Sequence, residues 1–262
     1  VEFSTRAEGQ NVKILVCNDD GYDAPGIKIL RRTLKAAGHK VFSIAPRVDK
    51  SGSGSAVSIN KYLGWNKKEN YLTVDATPLD CLRFGLTEFS PDMVIAGVND
   101  GANIGRHPLT SGTVCLAAYA AEEGIPSAAI SQHRGNFEVA KSILLSVIDK
   151  TLNKYALKSG QFLNINLPST LVDKASYWDQ KITSQIQGGI VCETTDISSN
   201  KEMLWFCIKS RWSEAHRYEK MLDAGVVLFQ ILGTFASGGG EMDHGQPRKT
   251  KNQKPKRSGH KR

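Results

Sequence analysis

Residues 12–17 read VKILVC, an apolar run too short for a helix, and Asn18-Asp19-Asp20-Gly21 follows it at once. Such a run is the pattern of a strand buried on both faces. Pro25 then stands just inside a helical stretch. Ile27, Leu30 and Leu34 recur at spacings of three and four, and Gly38 supplies the stop. Val41 to Ala45 is a second strand, ended by Pro46. Strand, helix and strand in so short a span form the unit of a parallel sheet, whose crossover is right-handed. This opening limits the fold more than any other feature of the chain.

The alternation continues. Arg47 to Ser58 is rich in Ser and Gly and reads as a loop. Short strands are expected around Ala56–Lys61 and Tyr71–Val74. Thr77-Pro78 has the pattern of an N-cap followed by Pro at the first helical position, opening a helix to about Leu86. Met93 to Ala96 is a further buried strand, followed by a glycine-rich loop to Thr110. Val114 to Glu123 is an alanine-rich helix stopped by Gly124. Ser127 to Ile130 is a strand, Phe137 to about Tyr155 a helix, and Phe162 to Ile165 a strand. The fold class is therefore α/β, a doubly wound, mostly parallel sheet. Past Pro168 the pattern weakens: residues 178–210 hold extended strands and 213–224 a helix, in no order the sequence reveals. The triple glycine at 238–240 leads into a tail.

Composition narrows the function classes. The net charge of +8 is a property of that tail: its last fifteen residues hold eight cations and no acid, which leaves 26 basic and 26 acidic residues elsewhere. A basic end can make weak nucleic-acid or acidic-partner contacts, or simply be a solvated end. Cys17, Cys81, Cys115, Cys192 and Cys207 are scattered and odd in number, which fits reduced thiols better than a disulfide framework. No run approaches the length of a membrane span. The first ten residues have no apolar core of a signal peptide. A cytoplasmic protein with no membrane contact is the expectation.

Asn18-Asp19-Asp20-Gly21 falls at the carboxyl end of the first strand, where open α/β sheets place their ligands. Adjacent carboxylates repel unless a positive charge lies between them, and a hard divalent cation with oxygen ligands answers that need. An ordinary Asp-Gly turn accounts for the same four residues. Ser51 and Asn99, after two other strands, would add neutral oxygens to Asp19 and Asp20. Ser111-Gly112-Thr113 presents N–H groups at a helix N-terminus, a ready anion site, although Ser111 is equally a plain N-cap. Ser51 to Ser55 also reads as a flexible linker. His107 either touches substrate or is a solvated loop residue. The phosphate-binding loop of P-loop NTPases, the dinucleotide fingerprint after the first strand and the G-x-S-x-G nucleophile elbow are all missing.

NDDG-x-x-APGI, AP-x-x-x-x-SG-x-x-x-S, TP-x-DC, PD-x-VI-x-G-x-N-x-G-x-N-x-G, SGTV and LNINLP occur in that order between about Lys13 and Pro168. Together they resemble the survival protein E (SurE) family of metal-dependent 5′/3′-nucleotidases. The resemblance implies a Rossmann-like fold, phosphatase activity on nucleoside monophosphates, and one divalent cation, Mg²⁺ or Mn²⁺. It places the metal ligands on Asp19, Asp20, Ser51 and Asn99, and the phosphate contacts on Asn103, Ser111, Gly112 and Thr113. It also implies a homodimer or homotetramer built through a C-terminal extension. The corresponding division is a leader (1–10), one domain (11–240, with core 11–168 and extension 169–240) and a basic tail (241–262). Lys50, Ala76 and Thr110 depart from the family's usual Gln, Gly and Tyr; none removes a ligand, and Lys50 and Thr110 could alter which nucleotide fits.

Asp19 and Asp20 are the expected catalytic pair. The metal would polarise a phosphoryl oxygen and position water, while N–H donors near Ser111–Thr113 and the Asn103 amide steady the equatorial oxygens. Two rivals use the same chain differently: a nucleotide-binding module without turnover, and an adaptor that binds nucleic acid or an acidic partner through its tail.

Overall fold

The computed structural model describes residues 11–105, 107–154, 157, 159–170, 176–180, 191–198, 201–207, 213–224 and 226–233. The leader, the triple glycine and the basic tail lie outside the described residues. The strands are β1 (Lys13–Cys17), β2 (Lys40–Pro46), β3 (Trp65–Lys68), β4 (Tyr71–Val74), β5 (Met93–Asp100), β6 (Ser127–Gln132), β7 (Gln161–Leu167), β8 (Ser176–Gln180), β9 (Val191–Ser198), β10 (Lys201–Cys207) and β11 (Val226–Gly233). The α-helices are α1 (Pro25–Ala36), α2 (Pro78–Phe89), α3 (Gly112–Glu122), α4 (Phe137–Lys154) and α5 (Ser213–Asp223). Nine strands form one sheet in the order β3-β4-β2-β1-β5-β6-β7-β11-β8, and β9 and β10 pair separately. The run from β4 to β7 is parallel throughout, with antiparallel pairings only at β3–β4 and β7–β11. The expected α/β, doubly wound architecture is the one observed.

β1 shows why the sheet is covered on both sides. Alternate residues of a strand point to opposite faces. Ile14 and Val16 enter one core with Ile27, Leu30 and Leu34 of α1 and Leu144, Val147 and Ile148 of α4. Leu15 and Cys17 enter the other with Leu79 and Leu82 of α2 and Leu116 and Ala120 of α3. Each fully buried Leu or Ile here contributes about 1.5–3 kcal/mol. Gly85 lets α2 lie close to the sheet, because a Cβ there would sit 2.9 Å from Ile44 and 3.0 Å from Leu15. Burial raises the Cys81 thiol to about 12, so it is an inert core group. Cys17, Cys81 and Cys115 are free.

Four boundaries differ from the sequence reading. Ala56–Lys61 is not a strand. The Ser58 N–H is committed to both oxygens of Asp80 at 3.1 Å, the Ala56 N–H closes a turn onto Ser53, and Asn60 is left-handed at φ 54°. The edge strand is instead β3, whose four residues are all exposed and so carry no apolar signal. α2 runs on to Phe89, its start secured by a capping box between Thr77 and Asp80. β5 extends past Ala96 to Asp100 with a register shift between Gly97 and Asn99 that leaves Val98 as the extra residue. β11 was not anticipated at all, although VVLFQILG is an apolar run.

Candidate active site

β1 has β2 on one side and β5 on the other. The chain leaves β1 toward β2 and comes back, through β4 and α2, to β5. A crevice opens where the winding reverses, at the carboxyl ends of β1 and β5. The turn after β1 is closed by the Asn18 side chain, whose Nδ2 donates to the Gly21 carbonyl at 2.9 Å. Gly21 has φ 97°, and a Cβ on it would meet the backbone of Val48 at 3.1 Å and Asp49 at 3.2 Å. The loop after β2 thus lies directly on the turn after β1, and the Lys50 N–H ties it to the Asp19 carbonyl at 2.8 Å.

Asp19 is only 2% exposed. Its Oδ1 accepts a short hydrogen bond from the Thr113 hydroxyl. That hydroxyl also lies 3.2 Å from Asn99 Oδ1. Asn99 Nδ2 donates to the Gly101 carbonyl at 2.7 Å, and this fixes the amide with its oxygen toward the Thr113 hydroxyl. That oxygen lines the cavity side a cation could use. Asp20 Oδ2 and Asn18 Oδ1 are buried acceptors with no hydrogen-bond partner among the described residues. Burial lifts the Asp19 carboxyl above its ordinary range, with Thr113 pulling it back. Asp20 is pushed up to about 7, by burial first and then by the charge of Asp19, with Asp49 and Asp100 adding to it. Buried, mutually repelling oxygen acceptors of this kind call for a positive charge. No group of three His, Cys, Asp or Glu side chains fit to hold a metal occurs among the described residues. A cation here would take two carboxylates and neutral oxygens, a set that suits Mg²⁺ or Mn²⁺ and not zinc. The Ser51 hydroxyl donates to Asp49 at 2.6 Å and keeps its lone pairs for such a role.

The other wall is the start of α3. Ser111 is its N-cap, its Oγ accepting from the Val114 N–H at 3.2 Å. The N-cap reading of Ser111 thus holds, and it leaves the first-turn N–H groups facing the crevice end of the helix. Gly112 has its own reason to be glycine: a Cβ would sit 2.6 Å from Asp19 Oδ2. Helix and carboxylate touch with no room for a side chain between them.

A cavity of about 350 Å³ occupies the crevice. Asp19, Ser51, Asn99, Asn103 and Ser111 all line it. Asp20, Gly112 and Thr113 are not among its lining residues; Gly112 and Thr113 meet it through Asp19. His107 lines the cavity with Nδ1 3.1 Å from the Ala102 carbonyl. Three lining residues escaped the sequence reading: His133, Arg134 and Glu219. His133 and Arg134 directly follow β6, so the same carboxyl-end rule that found Asp19 could have found them. Glu219 comes from α5, and no local signal marks it. α5 reaches the site because Tyr218 and Leu222 pack on Ile104 of the glycine-rich loop. Asp223 on the same helix bonds the Arg134 guanidinium at 2.8 Å and lies 3.2 Å from His133 Nε2. Burial lowers the His133 imidazolium below its usual range.

With this geometry in place, the similarities are specific. Residues 14–191 match the family model of survival protein SurE. A protein of Stenotrophomonas maltophilia named 5′-nucleotidase SurE is 36% identical over 166 residues, which cover 60% of this chain and 64% of that protein. The chain thus spans less than two thirds of that relative's length. A protein of the same name from Pelobacter propionicus is 32% identical over 214 residues, covering 79% of this chain and 85% of its own length. The crystal structure of the SurE protein from Aquifex aeolicus superimposes with a TM-score of 0.70 at 28% identity, over 86% of this chain and 96% of that one. The chain belongs to the survival protein SurE family.

Proposed function

We propose that this chain hydrolyses nucleoside monophosphates to nucleoside and inorganic phosphate, with one divalent cation held by Asp19, Asp20, Ser51 and Asn99. The observation that carries the reading is one cavity lined by the oxygen-bearing side chains Asp19, Ser51 and Asn99 on one wall and by Ser111, at a helix N-terminus, on the other. A cation and a phosphate are the complementary occupants of those two walls. The 5′-nucleotidase name borne by the relatives supports a nucleoside monophosphate as substrate.

The bound metal, Mg²⁺ or Mn²⁺, supplies Lewis acidity toward a phosphoryl oxygen and the attacking water. The protein does the rest by positioning. The Thr113 hydroxyl holds Asp19 in one orientation. One carboxylate of the Asp19–Asp20 pair takes the proton of the attacking water; Asp19 lines the cavity, and Asp20 carries the raised pKa that suits a proton acceptor near neutral pH. The Gly112 N–H at the start of α3 and the Asn103 amide steady charge on the equatorial phosphoryl oxygens, while the Thr113 N–H and hydroxyl are turned to Asp19. Family membership supports a homodimer or homotetramer, which analytical ultracentrifugation resolves. No helix among the described residues is long and apolar enough to cross a membrane.

The test is phosphate release from nucleoside 5′- and 3′-monophosphates with Mg²⁺, Mn²⁺ or EDTA, beside the Asp19→Asn variant. Release that needs metal and falls by about 10³-fold or more in the variant, about 4 kcal/mol in the barrier, is the expected outcome. A folded wild-type protein that releases no phosphate with either metal refutes hydrolysis and leaves the binding-module reading.

A further inference from the structure

Asn103 sits in the loop between β5 and α3, outside any strand or helix, yet it is only 4% exposed. A buried loop residue must find partners for its peptide groups. β7 provides them with side chains. Asn166 Oδ1 accepts from the Asn103 N–H at 2.7 Å. Asn164 Nδ2 donates to the Asn103 carbonyl at 2.8 Å, and Asn166 Nδ2 approaches the same carbonyl at 3.3 Å. Residues two apart on a strand share a face, so the Asn-x-Asn spacing of LNINLP puts both amides under this one loop. A primary amide carries a donor and an acceptor side by side, spaced like those of a peptide group, which lets asparagine stand in for a neighbouring strand. Asn164 is itself held by Gln230 of β11 at 2.9 Å. The Asn103 side chain is oriented separately: its Nδ2 donates to Ser131 Oγ of β6 at 2.8 Å. Asn164, Asn166 and Ser131 are all fully buried and none lines the cavity.

We propose that Ser131, Asn164 and Asn166 are positioning residues for phosphate binding, which hold the Asn103 backbone and aim its carboxamide into the cavity. The inference rests on the reading of the cavity as a phosphate site. With one Nδ2 proton spent on Ser131, the second proton of the amide has a set direction. The loop pays no ordering cost when the anion arrives. Ser131 is the most informative member, because its hydroxyl can be removed with little change in volume.

The experiment is a double-mutant cycle read by calorimetric titration with inorganic phosphate in the presence of Mn²⁺, together with KM and kcat for a nucleoside monophosphate. Ser131→Ala should weaken phosphate binding about 10-fold and lower kcat/KM by at least the same factor. In the Asn103→Ala background the same substitution should add nothing, because its effect passes through Asn103. An unchanged phosphate affinity in Ser131→Ala, or an equal loss in both backgrounds, overturns the proposal. If the wild type binds phosphate without hydrolysing any ester, the nucleotidase reading falls and the cycle still decides the positioning role. If it binds no phosphate, both fall together.

Discussion

The two walls of the cavity are built on opposite principles. Behind the wall after β1, acceptors outnumber donors: Asp20 Oδ2 and Asn18 Oδ1 are buried without partners among the described residues, and the charges of Asp19, Asp49 and Asp100 bear on Asp20. On the wall formed by Asn103 and Ser111, the hydrogen-bonding groups that shape the loop are matched, Asn103 by three buried side chains and Ser111 by the first turn of α3. One side carries buried acceptors that a cation would satisfy. The other is finished in advance and gains by rigidity. Unpaired buried charge costs stability, whereas a preorganised anion site lowers the cost of binding.

The first way to break this contrast is at the contact between the walls. Gly112→Ala drives a Cβ to within 2.6 Å of Asp19 Oδ2, and Asp19 is held against movement by Thr113. We expect kcat/KM to fall about 100-fold, with an unchanged circular dichroism spectrum; normal kinetics would show that the close approach is dispensable. Thr113→Val comes next. It keeps the volume and deletes the donor that orients Asp19, so metal affinity should drop about 10-fold, as measured by Mn²⁺ titration. An equal affinity would mean that the backbone donors at Asp19 suffice.

The smallest effect concerns stability without metal. Asp20 has a pKa raised to about 7 in the folded chain and about 3.9 when unfolded. Below the lower value both states are protonated and nothing is lost. As pH rises between the two values the unfolded state ionises first, so the metal-free wild type loses stability across that window. Asp20→Asn does not titrate there. In EDTA its Tm should exceed that of the wild type by about 2–6 °C at pH 8, and the gap should close toward pH 4. A variant less stable than the wild type at pH 8 would show that Asp20 is paired in the metal-free protein.

The parallel core was legible because its signals are local. The apolar run of β1, the Thr77-Pro78 helix start and the stop at Gly38 each act within a few residues. Asp19, Ser51, Asn99 and Ser111 could be placed at one edge because strand direction in a parallel sheet sends successive loops to the same side. Apart from β11, whose apolar run was overlooked, what failed had no apolar periodicity or depended on distant partners. β3 is exposed along its length, and the end of β5 was hidden by glycines that read as loop. Asp80 captures Ser58 from 22 residues away and suppresses a strand where the composition suggested one.

The sequence by itself determined the strand-helix alternation, the family and the chemistry of the carboxyl edge, because apolar spacing, caps and a handful of polar motifs encode them in contiguous residues. The tertiary structure alone decided three further things. Thr113 turns toward Asp19. β7 supports Asn103. α5 brings Glu219 to the cavity and Asp223 to Arg134. In each case the partners are separated by tens of residues, and only the packing of one element on another sets which donor meets which acceptor.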